Sequence, residues 1–103
     1  MAKVIFADST HRATIIRDDA NQTEFRLSPF NYKPSANEVR EIIGGWFERI
    51  KVRHPDTKKF VYLYVNEEGV LQRLPYNSEA SRIANMNIQG NVVMFEGWQG
   101  PTV

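Results

Sequence analysis

Trp46-Phe47-Glu48-Arg49-Ile50-Lys51-Val52-Arg53 is followed, across His54-Pro55-Asp56-Thr57-Lys58, by Lys59-Phe60-Val61-Tyr62-Leu63-Tyr64-Val65. The first segment alternates. Trp46, Glu48, Ile50 and Val52 share one side, while Phe47, Arg49, Lys51 and Arg53 share the other, which is the period of a β-strand. The second is a nearly unbroken run of β-formers, as a central strand requires. A polar reversal joins them, so residues 46–65 predict a β-hairpin and with it an antiparallel sheet.

Working outward, Ser35-Ala36-Asn37-Glu38 is a capping-box pattern, followed by Val39, Ile42 and Ile43 at helical spacing and then Gly44-Gly45. This predicts a short helix with a glycine in the left-handed conformation at its end. Before it, residues 3–7, 12–17 and 23–27 read as three strands of a meander, with Phe25 and Leu27 on one face. Ser28 to Pro34 reads as a loop with two prolines. After the hairpin, Asn66-Glu67-Glu68-Gly69 predicts a tight turn whose Gly69 can take positive φ, and Val70 to Leu74 returns as a short strand or extended segment. Asn77 or Ser78 caps a second helix with Ala80, Ile83 and Ala84 as its apolar stripe. Residues 91–96 form a last strand, and residues 97–103 are expected to fray unless Trp98 docks.

These elements predict an α+β fold: a single small domain over residues 1–103, with a curved, mostly antiparallel sheet of five or six strands on one or two short helices. The expected core is Ile5, Ile15, Phe25, Val39, Ile43, Ile50, Val61, Leu63, Val65, Leu74, Ile83 and Val93.

Composition narrows function by exclusion. Cysteine is absent, which removes disulfides, zinc–thiolate sites, iron–sulfur clusters and thiol catalysis. No apolar run reaches the roughly 18 residues of a membrane helix, and residues 1–8 are too short an apolar stretch for a signal peptide. A cytoplasmic protein with no membrane contact is expected, in the host cytoplasm if the protein is viral. The formal net charge is +1 over 103 residues. That is too balanced for a polyanionic DNA mimic or a generic DNA coater, so any nucleic-acid binding must come from a local patch.

From Gly44 onward the order of motifs resembles a family of unknown function found in bacteriophages and mobile elements, often near antirestriction genes. The residues that carry this are Gly44-Gly45-Trp46-Phe47-Glu48, Asn66-Glu67-Glu68-Gly69, Leu74-Pro75-Tyr76-Asn77 and Gly90-Asn91-Val92-Val93. The family pattern is shorter between residues 49 and 59, so the resemblance assigns that hairpin no role. It implies a phage or mobile-element accessory protein and supplies no activity, cofactor or catalytic residue.

Among candidate sites, the hairpin comes first. Arg49, Lys51 and Arg53 lie on one strand face, Lys58 and Lys59 follow, and Phe60, Tyr62 and Tyr64 recur at period two on the partner strand. Cations beside stacking rings would bind single-stranded nucleic acid or a nucleotide, the rings taking bases and the cations phosphate. Register decides this. Pairing Val52 with Phe60 would turn the aromatics into core, and a slip of one residue would set Tyr62 beside Lys51. The plain alternative is a solvated charged face over an aromatic core. A second candidate is a small-ligand groove lined by Asn66, Tyr76 and Asn77, for which turn and capping roles are a complete structural alternative.

The remaining groups are weaker. Glu67 and Glu68 adjoin in a turn, Glu48 shares a face with apolar residues, and the two histidines, His11 and His54, sit in turns without metal-ligand spacing. No catalytic residue, metal ligand or cofactor is therefore assigned. The leading expectation is a non-enzymatic accessory protein that binds a host protein or small signalling molecule, counter-defence being one such role. The alternative is nucleotide or single-stranded nucleic-acid binding through hairpin 46–65. A small hydrolase or transferase using Glu48, Glu68 and a histidine ranks last.

Overall fold

The computed structural model describes residues 5–6, 10–21 and 26–102. Five strands and two helices follow in the order β1 (Arg12–Ile16), β2 (Leu27–Pro29), α1 (Ala36–Ile43), β3 (Phe47–Arg53), β4 (Phe60–Asn66), α2 (Ser78–Ala84) and β5 (Val92–Glu96). The strands form one sheet in the order β2-β1-β5-β4-β3, and every neighbouring pair is antiparallel. This is the expected α+β fold.

Partners across the sheet share a face, so the register sorts the side chains. Lys51 pairs with Tyr62, Tyr62 with Phe95 and Phe95 with Ala13, which defines the first face. Ile50 pairs with Leu63, Leu63 with Met94 and Met94 with Thr14, which defines the second. Helix α1 sets Val39 and Ile43 against Ala13, Tyr64, Val93 and Phe95 of the first face. Helix α2 sets Ala80, Ile83 and Ala84 against Ile16, Val61, Leu63 and Met94 of the second. The two helices therefore cover opposite faces, and the domain has three layers. Burying each large aliphatic side chain contributes roughly 1.5–3 kcal/mol.

Local chemistry starts and stops each helix. The Ser35 hydroxyl accepts from the Glu38 amide, the Glu38 carboxylate accepts from the Ser35 amide, and Gly44 closes α1 at φ +87°. Asn77 caps α2 by accepting from the Ala80 amide, and Asn85 ends it in the left-handed region.

Several expectations are corrected. Residues 70–74 form no strand. The chain from Glu67 to Arg73 coils as successive turns, with the Gln72 amide donating to the Glu68 carbonyl and the Leu74 amide to the Gly69 carbonyl. Val70 and Leu71, apolar enough to suggest a strand, are 73% and 81% exposed. Gly69 does not have positive φ. It is needed for space, since a Cβ there would lie 3.1 Å from the Gln89 carbonyl oxygen. Of the strand expected at 23–27, residues 23–25, Phe25 among them, lie outside the described residues; a strand is present at Leu27–Pro29 and runs into the expected loop. The strand expected at 3–7 falls mostly outside them too. Ile5 makes an isolated bridge to Tyr32 and is exposed, so it is not core. Ile15 and Leu74 are only half-buried.

The end of the chain does not fray across its described part. The Trp98 indole donates to the Arg12 carbonyl at 3.0 Å and packs edge-on against Phe95 and Phe6. The Tyr64 hydroxyl lies 2.7 Å from the Gln99 carbonyl oxygen and 2.5 Å from that of Pro101. Residues 97–102 thus strap the first face beside α1.

Candidate nucleic-acid interface

The hairpin adopts the register that brings charge and rings together. Arg49 pairs with Tyr64, Lys51 with Tyr62 and Arg53 with Phe60. All six side chains belong to the first face, which α1 and the C-terminal strap cover only at the α1 end. Toward the reversal the face is open: Arg49, Lys51 and Arg53 are exposed, Phe60 is 59% exposed and Tyr62 is half-buried.

The reversal sets this register. The His54 amide donates to the Lys59 carbonyl and the Lys58 amide to the His54 carbonyl, with Lys58 at φ +65°. The His54 ring accepts from the Asp56 amide at Nδ1, so this histidine shapes the loop from a buried position. The Arg53 Nε donates to the Lys58 carbonyl at 2.9 Å and stiffens the last cation of the strand.

The cations lie over the rings. The Lys51 Nζ is 4.8 Å from the Phe60 ring centre and 6.0 Å from that of Tyr62, and the Arg49 guanidinium is 5.7 Å from the Tyr62 ring. Asp56, the one acid between residues 49 and 59, is turned away. Asp56 receives both terminal nitrogens of Arg82 at 3.0 Å, and Arg82 belongs to α2 on the opposite face. That pairing, ahead of the cost of desolvation, holds the Asp56 carboxyl below its usual range. Asp56 thus does not offset the field of Arg49, Lys51 and Arg53.

Three of the expected site residues do not join this surface. Tyr64 is fully buried, donates to the strap and packs between Phe47 and Phe95, so its face is closed to a base. Burial pushes its phenol up, with Arg49 opposing the shift. Lys58 lies in the reversal, beyond the strand alternation. Lys59 lines a groove of about 470 Å³ with Thr10, Arg12, Thr57, Phe60 and Glu96. Phe60, which that groove and the cation face share, is a further candidate contact residue; its period-two relation to Tyr62 was the signal for it.

The expected groove of Asn66, Tyr76 and Asn77 does not exist as one site. Asn77 is fully buried. Its amide donates to the Ile16 and Gly90 carbonyls and its oxygen accepts from Ala80. Asn66 donates to the Ile43 carbonyl and accepts from the Glu68 amide. Both side chains are consumed as joints of the fold. Tyr76 is exposed and lines a different hollow from Asn66. Residues of the motifs that suggested a family resemblance act as joints of the fold: Gly44 ends α1, Asn66 ties that end to β4, and Asn77 links β1, α2 and the entry to β5.

Glu48 and His54 do not converge. Glu48 is exposed near one end of β3, and His54 follows the other end after six residues of extended chain, roughly 20 Å. Glu48 and Glu67 share a hollow of about 190 Å³ with Ile50, Val70 and Met86, below the ~300 Å³ at which small-molecule pockets begin. Among the described residues no group of three or more His, Asp or Glu is placed to hold a metal ion, and no helix is long and apolar enough to cross a membrane. Comparison of the chain with known families, with curated proteins and with solved structures finds no match.

Proposed function

We propose that this protein binds single-stranded nucleic acid, or a nucleotide unit of it, on the open part of the first sheet face. The observation that carries the reading is the register of β3 on β4, which aligns Arg49, Lys51 and Arg53 with a row of rings of which Phe60 and Tyr62 remain accessible. Phosphate would be held by the cations and bases by the rings.

Magnitudes favour exchange of the internal contacts for a ligand. Each exposed cation–π contact is worth about 0.5–1 kcal/mol. Stacking one base on an aromatic side chain is worth about 1–3 kcal/mol, before any phosphate contact is counted. A base that displaces Lys51 from the Phe60 ring therefore gains more than it removes, and the freed ammonium is left beside the phosphate. The lysine and arginines on β3, an edge strand, also discourage edge-to-edge pairing with a second sheet, a role compatible with ligand binding.

A second reading keeps the protein partner expected of a phage or mobile-element accessory protein. Trp98 and Phe30 pack into the core of the first face and supply no exposed apolar patch. Val70, Leu71, Met86 and Trp46 are exposed instead, and Val70 and Met86 line one hollow. Affinity capture from host lysate separates the readings. Nucleic-acid binding predicts recovery that nuclease treatment abolishes and that Lys51→Glu weakens. Recovery of one protein in equal amount with and without nuclease, lost on Leu71→Asp and kept on Lys51→Glu, would replace it with the second reading.

A further inference from the structure

Resting on the nucleic-acid reading, we infer that the site is a two-base platform that accepts only an unstacked single strand, one base on Phe60 and the next on Tyr62, with the phosphate between them on Lys51. Ring spacing sets the geometry. Phe60 and Tyr62 are alternate residues of β4 on one face, so their side chains project roughly 6.6–6.8 Å apart along the strand. Successive nucleotides in a duplex strand rise only ~3.4 Å. Two neighbouring bases can each lie on its own ring only if they are drawn to about twice that rise, which breaks their stacking on each other and their pairing to a second strand.

Lys51 is where the link between the two nucleotides must pass. It stands opposite Tyr62 across the ladder, and its Nζ reaches both ring centres, at 4.8 and 6.0 Å. Arg49 and Arg53 flank it on the same strand face, one position on either side, so a phosphate track along β3 runs parallel to the ring track on β4. The spacing between neighbouring strands, about 4.8 Å, is the offset between the two tracks. Tyr64 would be the third ring, but the strap seals it through Gln99 and Pro101. The platform therefore ends after two bases. Rings and cations carry no base-edge hydrogen-bonding pattern, so the platform discriminates single strand from duplex and is tolerant of sequence.

The test uses the full chain and fluorescence anisotropy with labelled thymidine octanucleotide, a duplex of equal phosphate number, and an octamer of abasic deoxyribose phosphate. The platform predicts that the single strand binds at least tenfold tighter than either of the others. Phe60→Ala, at a ring exposed enough for the fold to survive its loss, should weaken the single strand roughly fivefold to a hundredfold and change the other two by less than twofold. Tyr62→Ala should do the same and Tyr62→Phe should restore binding, with circular dichroism confirming that each variant is folded. Duplex binding as tight as single-strand binding overturns the platform and leaves the nucleic-acid reading standing. So does loss of affinity on Lys51→Glu with none on Phe60→Ala. Failure of the unsubstituted protein to bind any of the three probes overturns both.

Discussion

Replacing Asn77 with alanine should be among the most damaging single changes outside the apolar core. The side chain is fully buried and makes three hydrogen bonds. Its oxygen caps α2, and loss of such a cap costs about 1 kcal/mol. Its amide satisfies the carbonyls of Ile16 and Gly90, each at 2.9 Å. Each carbonyl left unpaired costs about 1–3 kcal/mol. The sum is roughly 3–7 kcal/mol, a large share of the 5–15 kcal/mol available to a domain of this kind. Asn77→Ser separates the contributions. Serine keeps an acceptor for the cap but cannot reach the two carbonyls, so it should recover only ~1 kcal/mol of the loss. The assay is urea unfolding followed by tryptophan fluorescence and far-ultraviolet circular dichroism, with free energies compared at unchanged slope. A cost below ~1 kcal/mol for alanine would contradict these roles for Asn77, as would full recovery by serine, because the two carbonyl bonds would then contribute nothing.

Two further predictions concern the strap and the charge cluster. Tyr64→Phe removes the hydroxyl that meets Gln99 and Pro101; it should cost about 1 kcal/mol and speed amide hydrogen exchange in residues 97–102, and unchanged exchange there would contradict the strap. Asp56 and Glu79 are both held below their ordinary values, 3.8 and 4.5, chiefly by hydrogen bonds from Arg82. The stabilisation they provide is therefore fully present above those values and is lost as pH falls through the lowered ones. Arg82→Met should lower the unfolding midpoint modestly at pH 7 and progressively less as pH falls below the ordinary carboxylate range, and an effect that does not shrink with falling pH would show that the charges are not responsible.

What could be read in the sequence was what local chemistry decides. Helix α1 was legible at both ends, save for which of Gly44 and Gly45 turns left-handed, because the Ser35–Glu38 and Arg40–Gly44 contacts each span about one turn. Strands β3 and β4 were legible from alternation and β-propensity, and so was the α+β class. The register between them was not, because a one-residue slip costs nothing that the strands themselves reveal. It is fixed by the reversal, where Lys58 takes the left-handed conformation and His54 bonds on both sides. Whether Tyr64 was a site residue or core depended on the strap 35 residues later, a tertiary contact invisible to pattern. Val70 and Leu71 misled for the opposite reason: apolar character suggested a strand, yet the turn bonds from Glu68 to Leu74 leave both side chains in solvent. The candidate site was thus half legible. Its cations and rings stood in the sequence, and their alignment came only with the pairing of the strands.

The most direct measurement of the central claim is the equilibrium binding of a single-stranded thymidine octamer as a function of salt. Three cations in register, Arg49, Lys51 and Arg53, would release counterions from about three phosphates, giving a slope of log affinity against log salt near −2. Raising salt from 50 to 200 mM should then weaken binding roughly twentyfold, and Lys51→Glu should flatten the slope by at least ~0.7. A slope near zero, or a steep slope that Lys51→Glu leaves unchanged, would contradict the assignment of this sheet face as the binding surface.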